Sequence, residues 1–185
     1  MIIFMSHGII FNTALSKEKI PTDNLVINNP WYISGPSVET EDQINIYRVK
    51  NQSIKITTNN QPTKEIELHV MVTPSGSSDG PATDLSSNSY LEVTYQSTHV
   101  IKLQAREGNQ NKTGCIHGGS HPRIKLSASP NRFITKRINW QDFRLNENPN
   151  GKILDQHNLC KFNFVNYQPQ VGSIFILKSM IIVPQ

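Results

Sequence analysis

Residues 65–73 run Glu65-Ile66-Glu67-Leu68-His69-Val70-Met71-Val72-Thr73. Ile66, Leu68, Val70 and Val72 fall on one side of an extended chain, with Glu67, His69 and Met71 on the other. That period of two belongs to a pleated strand with one buried and one wet face, because a helix repeats every 3.6 residues. On the N-terminal side, residues 43–49 read as a strand around Ile44 and Ile46, and residues 53–57 as another around Ile54 and Ile56, with Asn51 and Gln52 as the hairpin turn. On the C-terminal side, residues 90–95 bury Leu91, Val93 and Tyr95, and residues 100–106 bury Ile101, Leu103 and Ala105. Residues 122–126 set Ile124 and Leu126 against Arg123 and Lys125, and residues 133–140 alternate Ile134 and Ile138 with Arg137. Residues 159–165 turn Phe162 and Phe164 inward, and residues 173–183 close the chain as one apolar strand or a bent pair.

Composition points the same way. Ile, Val and Thr number 44 of 185 residues, against 15 for Ala and Leu together, so stiff β-branched side chains replace the best helix formers. The expectation is an all-β chain: a two-sheet antiparallel β-sandwich, or jelly roll, of nine or ten strands without helices. Residues 74–81 and 107–120, rich in Gly, Pro, Ser or Asn, are its loops. No repeat of 20–50 residues is visible, which excludes solenoids and propellers. One domain over residues 21–185 follows an N-terminal segment, residues 1–20. The apolar opening of that segment fits a signal remnant or an edge strand, and residues 17–21 read as a polar hinge.

The net charge of +4 and pI near 9.1 come without a long basic run, giving a modest field that predicts no nucleic-acid partner. No window reaches the ~20 apolar residues of a membrane-spanning helix, so no membrane span is expected. Cys115 and Cys160 lack Cys-x-x-Cys spacing, which argues against a zinc ribbon or a thioredoxin-like site and leaves one disulfide if the chain is exported. The sequons at Asn51 and Asn111 are no more than chance supplies in a chain with 19 Asn.

Four phrases occur in a familiar order: DLSSNSYLEVTY at 84–95, ITKRINWQDF at 134–143, GKILDQHNLCKFNF at 151–164 and SIFILKSMIIV at 173–183. Together they resemble the galactose-binding-like β-jelly-roll superfamily, which includes many carbohydrate-binding modules and the family of the complex I intermediate-associated protein. The resemblance is close over residues 84–183 and loose over 24–72. It implies a non-catalytic binder of polysaccharide, extracellular or at the cell surface, attached to or associated with a glycan-active enzyme. It also implies a structural calcium near the termini. The closing strand lacks a carboxylate, so oxygen ligands would come from Asp23, Glu39, Glu41 or Asp42. The matched residues Leu91, Ile138, Phe143, Leu154, Leu159 and Phe164 are packing positions, and Asp142 and Asp155 cap turns.

The outward positions of the strands collect Lys102, Gln104, Arg106, Arg123, Lys125, Lys161 and Asn163. If their strands share a sheet, five cations line one polar face, and guanidinium forks match carboxylates, so the face suits an anionic, uronate-containing glycan. Solvation and edge protection account for the same cations equally well. Sugar rings also need aromatic platforms, for which Trp31, Tyr32, Tyr47, Tyr90 and Tyr167 are candidates, Trp31 and Tyr47 first among them. His117 and His121, with His69 or His99, have no enforced metal geometry. No nucleophile or phosphate-loop motif is present. A protein-interaction or assembly sandwich is the alternative, and a polysaccharide lyase using Arg123, His121 and a Tyr is the third reading.

Overall fold

The computed structural model describes residues 23–60, 64–73 and 80–185. The expected N-terminal segment and hinge, and residues 74–79 of the first loop, lie outside the described residues.

Among the described residues, ten strands form two antiparallel sheets. They are β1 (Trp31–Ser34), β2 (Ile54–Thr57), β3 (Ile66–Met71), β4 (Asn88–Ser97), β5 (Ile101–Glu107), β6 (Pro122–Leu126), β7 (Ser129–Ile138), β8 (Arg144–Leu145), β9 (Leu159–Asn166) and β10 (Ile174–Pro184). One sheet has the order β1-β3-β9-β5-β6-β8 and the other β2-β10-β4-β7. The core lies between them. Leu68, Val70, Leu103, Leu126, Phe162 and Phe164 from the larger sheet meet Ile54, Leu91, Val93, Tyr95, Phe175 and Leu177 from the smaller one. Phe164 and Phe175, 5.2 Å apart between ring centres, join the sheets. Each is the apolar half of an alternating strand, so the jelly-roll expectation holds. The wet face expected of residues 65–73 does not: His69 and Met71 are buried, because the neighbouring strands and Tyr32 cover that side of β3. Tyr95 and Trp140 are buried with their polar tips satisfied, the hydroxyl donating to the Ser127 carbonyl at 2.9 Å and the indole N–H to the Asn88 carbonyl at 3.0 Å. Asp142 and Asp155 cap turns, accepting from Asn139 N and His157 N.

Two helices correct the helix-free expectation: α1 (Leu25–Asn28) and α2 (Glu41–Asn51). The second replaces the strand expected at residues 43–49. Thr40 Oγ1 accepts from Gln43 N while Gln43 Oε1 accepts from Thr40 N, a reciprocal capping box that fixes the first turn. Glu41 and Asp42 stand at the positive end of the helix and Arg48 and Lys50 at the negative end. Ile44 is buried but Ile46 is 69% exposed, so the apparent alternation of the two is not a strand face. Asn51 and Gln52 make no hairpin; Gln52, at φ +54°, ends the helix. The disulfide that export would allow is present, joining Cys115 in the 108–121 loop to Cys160 on β9.

Candidate functional site

Alternation along the strands of the larger sheet sends every second side chain to its outer face, and the registers align these in rows. One row crosses all six strands: Tyr32 opposite His69, then Asn163, Gln104, Arg123 and Arg144. To one side lie Met71, Lys161 and Arg106; to the other, Ser34, Glu67, Val165, Lys102 and Lys125. The seven cationic and amide residues collected from the sequence therefore do share one face. Its centre is not wet as alternation predicts: Lys161 and Asn163 are 0% exposed, and His69, Met71, Gln104 and Val165 are buried with them.

A polar network orders this face. Glu67 accepts from Asn163 Nδ2 at 2.8 Å and Arg106 Nη2 at 3.4 Å, with His69 Nε2 at 3.6 Å. His69 stacks on Tyr32 at 4.0 Å and bonds Ser34 Oγ at 3.1 Å. Lys161 donates to the Tyr32 hydroxyl at 2.7 Å. At the other end Tyr167, which follows β9, accepts from Gln104 Nε2 and from Arg123 Nη1, with the guanidinium 5.5 Å from its ring centre. Glu147, in the turn after β8, binds Lys102 Nζ and Arg123 Nε.

Two features stand out against ordinary sheet surfaces. Asn163 Oδ1, Gln104 Oε1, Arg106 Nε and His121 Nε2 are buried with no hydrogen-bond partner among the described residues. The Asn163 amide cannot be turned over to satisfy itself, because that would aim its oxygen at the Glu67 carboxylate. The second feature is three cross-strand pairs of like charge on this one face: Lys161 opposite Arg106, Lys102 opposite Lys125, and Arg123 opposite Arg144. Directly opposed like charges destabilise a sheet. Burial, with Arg106 and Lys161 nearby, lowers the His121 imidazolium to about 4, so at neutral pH this ring adds no further charge.

Two expected site residues lie elsewhere. Trp31 pairs with the core residue Val70 and packs against the core with Arg48 5.8 Å from its ring centre, because adjacent strand positions point to opposite faces. Its neighbour Tyr32 lies on the outer face instead. Tyr47 lies on α2, which packs by β2 of the smaller sheet. Tyr90 is on that smaller sheet too, with Arg137 4.1 Å from its ring centre. Two suggested calcium ligands are already engaged: Glu39 accepts from Thr57 N and Oγ1 at 2.8 and 2.7 Å, and Glu41 from Ile33 N at 3.1 Å. Among the described residues no three His, Cys, Asp or Glu side chains group as a metal site, and no helix is long and apolar enough to cross a membrane. Glu147 and Arg144 escaped the sequence reading because β8 is two residues long and shows no period.

No protein-family model matches the chain, and no curated protein does. Among solved structures, the chain is similar to the family 11 carbohydrate-binding module of the cellulosomal cellulase Lic26A-Cel5E of Clostridium thermocellum, at 15% identity and TM-score 0.53, over 85% of this chain and 84% of that one. A second structure, of a family 11 module from the same organism in complex with a β-1,3-1,4-mixed-linked tetrasaccharide, matches at 15% identity and TM-score 0.52, over 84% and 85% of the two chains. The likeness shows a shared fold: this chain has the β-sandwich of a carbohydrate-binding module.

Proposed function

We propose that the domain is a non-catalytic glycan-binding module that holds a polysaccharide on the outer face of the larger sheet. The observation that carries this reading is the set of buried, unpartnered polar atoms on and beside that face: Asn163 Oδ1, Gln104 Oε1, Arg106 Nε and His121 Nε2. Each such atom costs about 1–3 kcal/mol unless a partner arrives, and sugar hydroxyls, which both donate and accept, reach these shielded atoms when the side chains that cover them give way. Tyr32 and Tyr167 flank the row and supply aromatic surface for sugar C–H faces. The fold shared with a carbohydrate-binding module supports the same reading.

The glycan is acidic, in this proposal uronate-containing. Three like-charge pairs on one face are unfavourable alone and become favourable when a ligand carboxylate lies between them. The domain binds without reacting: the neutral imidazole of His121, whose conjugate acid is held down to about 4, makes a weak proton acceptor. The disulfide fits an oxidising, extracellular or cell-surface setting, with a glycan-active enzyme as associate.

Affinity gel electrophoresis against alginate, pectate, xylan and β-glucan tests this. Retardation by a uronate polymer is expected, and Arg106→Ala or Arg123→Ala should weaken it at least ten-fold, the size of a lost charge-assisted hydrogen bond. Retardation by none of the polymers would overturn the reading in favour of a protein-interaction sandwich.

A further inference from the structure

The turn after β8 holds a carboxylate where the proposed ligand would bring one. Asn146 and Glu147 both have positive φ, +54° and +58°, a conformation that non-glycine residues adopt at a cost. The turn is closed by Glu147 N donating to the Arg144 carbonyl and Asn148 N to the Leu145 carbonyl, both at 3.1 Å. Its effect is to fold the Glu147 side chain back over the sheet edge, between Lys102 on β5 and Arg123 on β6. All three side chains remain about a quarter exposed, so water and solutes reach the contact. Beside it lies a shallow, open depression whose lining includes Arg123, Lys125, Asp142, Arg144 and Glu147. Arg144 is held there by the Gln141 and Gly151 carbonyls, not by a carboxylate.

We infer that Lys102 and Arg123 form an acidic-sugar subsite whose resident anion is the chain's own Glu147, displaced by a uronate carboxylate when the glycan binds. The inference rests on the acidic-glycan reading above and adds self-competition to it. Glu147 offsets the Lys102–Lys125 and Arg123–Arg144 repulsions in the free protein, and the same contact weakens the ligand. A carboxylate that is a quarter exposed on a short turn can be displaced because ion pairs within reach of solvent are individually weak. A sulfate ester would present the same anionic chemistry, so the test must separate the two.

The test is calorimetric titration of the wild type, Glu147→Gln and Glu92→Gln with an oligogalacturonate, its methyl ester, a sulfated neutral oligosaccharide and a mixed-linkage β-glucan. Glu92, on β4 of the other sheet opposite Arg137, reports the effect of the same charge change away from the face. The expected result is oligogalacturonate binding roughly three- to ten-fold tighter in E147Q, since removing two weak competing pairs is worth about that factor. E92Q and the methyl ester should show no gain. Glu147→Ala should tighten binding likewise, which covers the case of an amide that still bridges the cations. Equal or weaker oligogalacturonate binding in both Glu147 variants, with the wild type binding, overturns the inference and leaves the glycan reading standing. Tightening confined to the sulfated chain overturns the uronate assignment. Binding of the β-glucan alone overturns the acidic ligand, and binding of nothing overturns both readings.

Discussion

His121 shows how one buried residue couples the face to solution conditions. Burial first, and the nearby Arg106 second, lower its imidazolium to about 4, whereas the ring in an unfolded chain titrates near ~6.5. Between those values the unfolded state binds the proton and the native state does not, so stability falls as pH drops from about 6.5 toward about 4. His121→Gln should flatten this part of the acid limb, by on the order of 2–3 kcal/mol at pH 4.5 relative to pH 7 in urea denaturation. Parallel pH profiles for the two proteins would refute the assignment. At this scale the sequence was informative where a strand carried the residue: period two put Lys102, Gln104 and Arg106 on one side of β5 and Lys161 and Asn163 on one side of β9, and the pairing of the two strands made those sides one face. It set all five outward, and it missed the burial of Gln104, Lys161 and Asn163, which depends on what Tyr32, Glu67 and Tyr167 contribute from elsewhere in the chain.

The element most at odds with the sequence reading is α2. Apolar Ile44 and Ile46 suggested a strand, yet the deciding signal lay just upstream, where Thr40 and Gln43 have capping-box spacing. Only Ile44 is buried on this helix, so its stability rests more on its ends than on an apolar face. Thr40→Ala should therefore cost about 1 kcal/mol, read as a lower urea midpoint at unchanged slope. An unchanged midpoint would mean that packing by β2 alone holds the helix. Trp31 lies off the polar face for a related reason. An aromatic pair of neighbours on a four-residue strand always divides between the two faces, and which one meets the core is set by the register with β3. Short elements such as β1 and β8 carry too few residues for a period, and tertiary pairing alone defines them.

For the whole molecule, the Cys115–Cys160 bridge ties the loop carrying His117 to the central strand of the larger sheet across 45 residues of sequence. By loop-closure entropy, reduction should cost about 4 kcal/mol, and the Cys115→Ser/Cys160→Ser double variant should unfold at a correspondingly lower urea concentration. Identical midpoints would show that the unfolded chain gains nothing from the cut. The sandwich was legible because strand patterning and turn residues agree along nearly the whole chain; the order of strands in each sheet was not, since β3 meets β9, and β4 meets β10, only through distant pairing. That order has a consequence in time. β9 joins β3 to β5 and β10 joins β2 to β4, so the two seams of the molecule are its last two described strands. On a ribosome that emits the chain from its N-terminus, β1 with β3 and β4 with β7 wait as half-sheets with bare edges until residues 159–184 emerge. Neither sheet can therefore close before residues 159–184 are available, and the exposed edges must be kept apart through that interval.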